Sequence, residues 1–160
     1  MRVGFGYDVH ALLPGRALWI GGIRIEYPLG LQGHSDADVL IHAICDALLG
    51  AADMRDIGYH FPDTGEAYKD IDSKILLQNT MQLLRNAGYE LGNIDATLVA
   101  EQPKLSPHIP AIKNTLAGVI QTDPGNISIK ATTTERLGFT GRQEGIAAYA
   151  TVLIYMPHFS

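Results

Sequence analysis

The chain has 160 residues, enough to bury a core, and we expect one domain over residues 1–160. Hydrophobic residues make up 46% and charged residues 18%, which excludes an intrinsically disordered protein. The net charge is −5 and no cluster of Lys or Arg is present, which argues against nucleic acid or an anionic membrane as the partner.

Cysteine usage and hydropathy indicate the compartment. Cys45 is the single cysteine, so no internal disulfide can form, and its apolar neighbours favour a small buried side chain. No signal peptide is apparent, and the longest apolar runs are too short to span a bilayer. These features predict a cytoplasmic protein.

The first segment, residues 1–10, is typical of a strand. Asp8 and His10 are two residues apart, so both side chains point to the same side of an extended chain. They are a candidate pair of metal ligands, although a surface Asp–His pair is the commoner case. Residues 11–28 contain two short strand-like pieces on either side of Gly21 and Gly22, which predicts a hairpin.

Residues 33–51 predict one buried helix, because the apolar residues leave almost no polar face. Asp38, His42 and Asp46 are the exceptions, and their i, i+4, i+8 spacing aligns them on one stripe. Unpaired buried charge is costly, and metal coordination is one reason to keep such a stripe. The alternative is that Asp38 lies near solvent and His42 is a satisfied core histidine. Residues 34–36 are candidate N-cap residues whose free N–H groups favour a phosphate.

Residues 53–70 predict a long loop, either functional or simply solvated. Its hydroxyl- and phosphate-facing candidates are Asp56, Gly58, Asp63, Thr64 and Gly65. Residues 72–87 predict an amphipathic helix that ends at Gly88. Its inward-facing residues are Ile75, Leu76, Met81, Leu83 and Leu84.

The second half of the chain alternates strands and helices. We expect strands at residues 91–100 and 126–131, a proline-rich turn at 101–110 and a helix at 111–120. Lys104 in the turn is a candidate anion contact, or a surface lysine. Residues 132–135 place three threonines and a glutamate at a strand end, and such oxygen ligands suit phosphate or Mg²⁺.

A glycine-rich turn with Arg142 precedes the last predicted strand, at 145–156. Both faces of this strand are largely apolar, so we expect helices to cover one face and sister subunits the other. The order of elements predicts an α+β fold, with a mixed four-stranded main sheet and helices on one face.

Asp8, His10 and His42 would form a catalytic zinc site if they converge. A catalytic zinc usually has three protein ligands and an open position, from which it acts as a Lewis acid on a phosphate oxygen. Asp46, one turn beyond His42, is a candidate acceptor that orients the imidazole. Spacing alone leaves the convergence open.

The sequence resembles the 2-C-methyl-D-erythritol 2,4-cyclodiphosphate synthase family, whose members belong to the non-mevalonate isoprenoid pathway. Five motifs match in order along essentially the whole chain: GYDVH (6–10), GHSDADVLIHAICDALLGA (33–51), DIGYHFPDTG (56–65), QPKLSPHIP (102–110) and KATTTERLGFTGRQEGIAA (130–148). The chain departs from the family at Gly65, where an acid is frequent, and at Gln143, where glycine is usual.

The resemblance implies roles for individual residues. Asp8, His10 and His42 would bind zinc, and Glu135 would lie beside a second divalent ion, Mg²⁺ or Mn²⁺. His34 and Thr133 would be catalytic, and His34 would help to stabilise the transition state. The implied substrate contacts are Asp8, His10, His34, Ser35, Asp56, Ile57, Gly58, Phe61, Pro62, Asp63, Thr64, Gly65, Ala100, Pro103, Lys104, Leu105, Ser106, Ala131, Thr132, Thr133, Thr134, Glu135, Phe139 and Arg142.

The resemblance also implies a reaction and an assembly. The enzyme would be a metal-dependent phosphorus–oxygen lyase that converts 4-diphosphocytidyl-2-C-methyl-D-erythritol 2-phosphate to 2-C-methyl-D-erythritol 2,4-cyclodiphosphate and releases CMP. Family members are homotrimers with active sites between subunits, so the open face of the sheet would lie at a trimer interface. Two other functions stay open from the residues: a zinc phosphoesterase, and a non-catalytic nucleotide-binding or assembly module.

Overall fold

The computed structural model describes residues 1–62 and 71–157, which form seven strands and five helices. In chain order these are β1 (Arg2–Pro14), β2 (Leu18–Ile20), β3 (Ile23–Ile25), β4 (Leu29–Leu31), α1 (Val39–Ala51), α2 (Ile57–His60), α3 (Ser73–Asn86), β5 (Glu90–Val99), α4 (Ile109–Ile120), β6 (Ile127–Thr132), α5 (Gly138–Gly141) and β7 (Gly145–Tyr155). Single 3-10 turns lie at Ser106–His108 and Pro124–Asn126.

The main sheet has five strands in the order β4-β1-β7-β5-β6, and only β5 and β6 are parallel. The predicted mixed sheet is therefore confirmed, but the predicted number of four strands is wrong. The additional strand is β4, which has three residues and pairs with the end of β1 at Leu12–Pro14. So short a piece has no periodicity of its own. The predicted hairpin is confirmed as β2 and β3, which form a separate two-stranded sheet.

Helix α1 lies at the centre of the core. Every residue of α1 except Asp46 and Gly50 is buried, because the helix packs on β1 and β7 on one side and on α3 on the other. Burial raises the pKa of the Cys45 thiol to about 12, which agrees with its expected role as a buried apolar side chain.

Two glycines of β1 allow this close packing. A Cβ built on Gly4 would lie 1.9 Å from the carbonyl oxygen of Ala47, and one on Gly6 would lie 2.0 Å from that of Ala43. No side chain fits there, so the backbone of α1 rests directly on β1. The next residues on the same face of β1 are Asp8 and His10.

Helix α3 differs in part from the predicted pattern. It is capped by Asp72, and Gly88 follows its end with φ +81°, as a glycine C-terminal signal predicts. Ile75, however, is 44% exposed, whereas Leu77 is buried. Ile75 lies in the first turn of α3, at the edge of the core. Helix α4 begins at Ile109, two residues before the predicted start.

The helices pack on one face of the main sheet, as predicted. The other face is open in the single chain and carries exposed apolar side chains: Val3, Phe5, Tyr7 and Val9 from β1, and Tyr149 and Tyr155 from β7. Tyr149 contacts both Phe5 and Tyr7, with ring centroids 6.3 and 5.0 Å apart. None of the helices over residues 1–62 and 71–157 is long and apolar enough to cross a membrane.

Candidate active site

Asp8, His10 and His42 converge where α1 crosses β1. Asp8 Oδ2 lies 2.9 Å from His10 Nε2 and 3.0 Å from His42 Nδ1, and the two imidazole nitrogens are 3.2 Å apart. The three side chains form one cluster of potential metal-ligand atoms. The convergence that spacing alone left open is therefore confirmed.

The cluster fits a tetrahedral metal ion. Bonds of about 2.0–2.1 Å to zinc place neighbouring ligand atoms about 3.3 Å apart. The observed separations of 2.9–3.2 Å are close to that value, so a small adjustment of the side chains suffices to hold an ion. A cavity borders the cluster and leaves a fourth position accessible.

Hydrogen bonds on the outer ring nitrogens orient both imidazoles. His10 Nδ1 lies 2.6 Å from the carbonyl oxygen of Gln32, which can only accept, so Nδ1 carries a proton and a neutral His10 presents the lone pair of Nε2 to the cluster. His42 Nε2 lies 3.0 Å from Ser73 Oγ and 3.2 Å from Ser35 Oγ. Both imidazoles therefore have partners on the side away from the cluster centre, as metal-ligating histidines usually do.

The charges within the cluster favour an ionised carboxylate. Burial alone would raise the pKa of Asp8, but hydrogen bonds and charge from His10 and His42 in their protonated forms lower it to about 2. Burial likewise opposes protonation of His10, but the Asp8 carboxylate raises its pKa. At neutral pH the cluster thus offers an anionic oxygen to a cation.

The other two acids of the α1 stripe, Asp38 and Asp46, accept hydrogen bonds from backbone N–H groups. Asp46 accepts from the N–H of Ile57 at 2.8 Å, so the prediction that it orients His42 is wrong. Burial raises the pKa of Asp46. Asp38 is fully buried rather than near solvent, and it is the N-cap of α1 in place of residues 34–36. Its carboxylate accepts from three N–H groups, those of Gly21, Gly22 and Ile41.

A first cavity of about 240 Å³ lies beside the cluster. Its lining includes eight predicted site residues: Asp8, His10, His34, Ser35, His42, Ile57, Gly58 and Phe61. The segment that carries His34 and Ser35 is held by Arg16, which donates to the carbonyl oxygen of Ser35 at 2.7 Å. Asp56 caps α2 through the N–H of Tyr59, and Pro62 is exposed; neither is part of this lining. Asp63, Thr64 and Gly65 lie outside the described residues.

A second cavity of about 280 Å³ gathers another predicted group, namely Ala100, Pro103, Lys104, Leu105, Ser106, Ala131, Thr132 and Thr133. Beyond its edge, Thr133 Oγ1 donates to Glu135 Oε1 at 2.8 Å. Thr134 turns away, since its hydroxyl bonds the carbonyl oxygen of Leu137. Phe139 and Arg142 line neither cavity, and Arg142 pairs with Glu144 at 2.8 Å.

Both cavities lie at the same end of the main sheet. Asp8 is opposite Ala148, Ala148 is opposite Leu98, and Leu98 is opposite Ala131. Neighbouring strands are about 4.8 Å apart, so Asp8 and Ala131 are separated by about 14 Å. The two cavities share no lining residue. Within one chain they are two separate, neighbouring cavities.

Sequence analysis missed several residues around the site. Gly33, Ile71 and Leu76 also line the first cavity. Ser73 bonds His42, and the only available signal was its position after the capping residue Asp72, which indicates a helix start and not a site. Glu101 accepts from the N–H groups of Thr134 and Arg136 and so braces the loop that carries Thr133.

Comparison with known proteins agrees with this arrangement. A model described as the YgbB family matches residues 1–155. The chain belongs to the YgbB family. The resemblance found in the sequence is confirmed, because relatives named 2-C-methyl-D-erythritol 2,4-cyclodiphosphate synthase are 78% identical in Parabacteroides distasonis and 68% in Bacteroides thetaiotaomicron. Both alignments cover 96% of this chain, and they cover 96% and 97% of those relatives.

Solved structures of YgbB-like chains share the fold. A 2C-methyl-D-erythritol-2,4-cyclodiphosphate synthase described as its CDP-bound form is 34% identical, with a TM-score of 0.89 over 96% of this chain and 100% of that one. The bifunctional IspDF of Campylobacter jejuni is 42% identical, with a TM-score of 0.92 over 96% of this chain. This chain spans 42% of that longer protein.

Proposed function

We propose that this chain is the enzyme that converts 4-diphosphocytidyl-2-C-methyl-D-erythritol 2-phosphate to 2-C-methyl-D-erythritol 2,4-cyclodiphosphate and CMP, in the non-mevalonate isoprenoid pathway. The observation that carries the proposal is the Asp8–His10–His42 cluster, which opens into a cavity in a YgbB chain. The names of the close relatives support it.

We propose that Asp8, His10 and His42 hold a zinc ion and that Glu135 contributes to a second divalent site for Mg²⁺ or Mn²⁺. The donor set of one carboxylate and two imidazoles suits zinc, and a lone carboxylate suits a hard cation. Bound cations would supply Lewis-acid neutralisation of the diphosphate charge. The enzyme would accordingly be a metal-dependent phosphorus–oxygen lyase.

The protein residues bind and orient the substrate. The first cavity would hold the erythritol 2-phosphate, with His34 and Ser35 at the phosphate and Ile57, Gly58 and Phe61 at the sugar alcohol. We also propose Asp56 and Pro62 as contacts of the sugar alcohol, together with the next three residues in the sequence, Asp63, Thr64 and Gly65, which lie outside the described residues. The second cavity would hold the cytidine, with Lys104 near the CMP phosphate.

The remaining proposed contacts complete the diphosphate site. Thr132, Thr133, Thr134 and Glu135 would surround the diphosphate, with Phe139 and Arg142 beside them. An oxygen of the 2-phosphate attacks the β-phosphorus, the bond from that phosphorus to the bridging oxygen breaks, and CMP leaves with this oxygen. This transfer needs positioning and charge neutralisation and no protein nucleophile. His34 and Thr133 would stabilise the transition state.

We propose a homotrimer in which the first cavity of one subunit meets the second cavity of the next. The open sheet face supports it, because its apolar side chains are 39–67% exposed in the single chain, as in a surface that is covered by a partner. The two cavities, which share no residue, also suit assembly between subunits.

Mixing two defective variants tests the shared site. Asp8→Asn disables the first cavity and Thr133→Ala disables the second. In a trimer ring of randomly mixed subunits, each mixed trimer regains one intact site, so about a quarter of the wild-type activity should return. If each chain used its own two cavities, mixing would restore nothing, and the proposed arrangement would be refuted.

Product analysis tests the activity. Purified protein incubated with the cytidyl substrate, Zn²⁺ and Mg²⁺ should release CMP together with a cyclic diphosphate. Release of inorganic phosphate would instead indicate a zinc phosphoesterase. Asp8→Asn and His42→Ala should abolish turnover, and Asp123→Asn, before β6 at the opposite end of the sheet, is the matched control. Full turnover by Asp8→Asn would refute the catalytic metal. CDP binding by the wild type without any turnover would instead indicate a nucleotide-binding module.

A further inference from the structure

Ser73 links the candidate metal ligand His42 to a second acid, Asp36. Ser73 Oγ lies 3.0 Å from His42 Nε2 and donates a short hydrogen bond to the Asp36 carboxylate. The backbone N–H of Ser73 also donates to Asp36, at 2.9 Å. The Ser73 side chain is fully buried, at the first residue of α3, and none of the proposed substrate contacts includes it.

The direction of these hydrogen bonds follows from what each group can do. An ionised carboxylate only accepts, so the single hydroxyl hydrogen of Ser73 is directed to Asp36. Ser73 Oγ can then only accept from His42, and the donor must be the Nε2–H group. This contact favours Nε2 as the position of the proton of a neutral His42, with the Nδ1 lone pair facing Asp8 and His10. It opposes the effect of the Asp8 carboxylate, which favours a proton on Nδ1.

Without this partner, the other tautomer of His42 would gain stability. Asp8 Oδ2 lies 3.0 Å from Nδ1 and would accept a hydrogen bond from an Nδ1–H group, which would block metal binding. Ser35 Oγ, at 3.2 Å from Nε2, does not settle the tautomer, because its hydrogen is not assigned to another acceptor.

We propose that Asp36 and Ser73 are positioning residues that hold His42 in the Nε2–H tautomer, so that Nδ1 is ready to bind the metal ion. With Nε2 already protonated, the hydroxyl hydrogen of Ser35 is free to point into the first cavity. The Ser73–Asp36 link would thus prepare both the metal ligand and an anion contact. The inference rests on the metal centre of the proposed function.

Metal affinity and the His42 tautomer test the inference. Zn²⁺ alone is titrated into wild type and Ser73→Ala against a chromophoric chelator. The variant should bind zinc about 10–100-fold more weakly, the usual effect of losing a partner of a ligating histidine. Thr80→Val is the matched control, since it removes a buried hydroxyl two turns further along α3, and it should bind zinc like the wild type.

The second measurement is a ¹⁵N spectrum of the histidine rings in metal-free protein near pH 8, above the ordinary histidine pKa of about 6.5. Wild-type His42 should carry its proton on Nε2, and in Ser73→Ala the Nδ1–H form should increase. Wild-type protein with the proton on Nδ1 overturns the inference even if the variant does not fold. Equal zinc affinity of the folded variant and wild type also overturns it. Failure of the wild type itself to bind zinc refutes the proposed metal centre.

Discussion

Substitution of Gly6 by alanine tests whether the contact of α1 with β1 sets the spacing of the candidate metal ligands. An alanine Cβ at this position would lie 2.0 Å from the carbonyl oxygen of Ala43. Cβ atoms essentially never approach other atoms closer than 3.0 Å, so the helix must move away by about 1 Å or more. Asp8 is two residues after Gly6, and His42 directly precedes Ala43.

That displacement acts on stability and on the site together. Overpacking of this kind costs about 1–3 kcal/mol. The separation of Asp8 and His42, now 3.0 Å, would approach 4 Å, which exceeds the 3.3 Å or so that a tetrahedral zinc requires. We therefore expect zinc affinity to fall by about tenfold or more, equivalent to about 1.4 kcal/mol.

Urea unfolding at fixed protein concentration and zinc titration against a chelator measure the two effects. Gly50→Ala is the matched control, because Gly50 lies on the exposed side of α1 and a Cβ there meets nothing within 4 Å. Alanine should stabilise the helix at that position by about 0.5–1 kcal/mol and leave zinc affinity unchanged. If Gly6→Ala matched the wild type in both measurements, the glycine contact would not determine the ligand spacing.

Four further predictions concern charged side chains. In the metal-free chain, the lowered pKa of Asp8 should stabilise the fold by on the order of 2 kcal/mol at any pH above about 3.9, the pKa of the unfolded chain. Unfolding measurements at a series of pH values should show this stability lost as the pH falls through about 2. The raised pKa of His10 should contribute stability below about pH 6.5 that is lost as pH rises through the raised value. Asp38→Ala leaves three buried N–H groups without their acceptor and should cost about 3 kcal/mol or more in urea unfolding, against about 1 kcal/mol for the single cap lost in Asp72→Ala. Glu101→Ala should weaken CDP binding about tenfold or more by calorimetry, since it removes the acceptor of two N–H groups and each hydrogen bond to a charged group contributes about 1.5–3 kcal/mol. Glu101→Gln retains the accepting oxygen and should bind CDP normally.

Each of these predictions has an outcome that contradicts it. A free energy of unfolding that stays constant as the pH rises above about 6.5 would show that His10 makes no such contribution. If the free energy of unfolding of Asp8→Asn fell at acidic pH as it does in the wild type, the loss of stability would belong to another group. Equal losses of unfolding free energy for Asp38→Ala and Asp72→Ala would mean that the turn at Gly21 and Gly22, between β2 and β3, does not depend on the buried carboxylate of Asp38. Equal CDP affinity for the alanine and glutamine variants of Glu101 would show that the Glu101 side-chain oxygen does not support the loop that carries Thr133.

Local patterns predicted the elements of the fold well. The two-residue spacing of Asp8 and His10 placed both on one side of β1, and the apolar run of 33–51 indicated a buried helix. These predictions succeed because strand alternation and helix burial depend on neighbours in the sequence. The same patterns favoured Asp46 as the partner of His42, because it lies one turn away on the same helix.

The actual partner shows why the rest of the site was not predictable. His42 bonds Ser73, which is 31 residues further along the chain, and Asp46 bonds the backbone of α2 instead. Which side chains become hydrogen-bond partners depends on how α1 and α3 pack. A serine at a helix start looks the same in the sequence whether or not it bonds a histidine. The start of α1 was also ambiguous, since Ser35, Asp36 and Asp38 are all favoured N-cap residues by type.

The missed strand β4 explains how the remaining part of the site is assembled. Leu29–Leu31 pairs with the end of β1, and the N–H of Gln32 continues this pairing with the carbonyl oxygen of Ala11. The next carbonyl group, that of Gln32, therefore lies beside His10 and fixes its tautomer. The chain that follows carries His34 and Ser35 into the first cavity. Three residues of β-structure thus orient one candidate metal ligand and position two proposed phosphate contacts, so a disturbance of β4 should impair the site before it impairs the core.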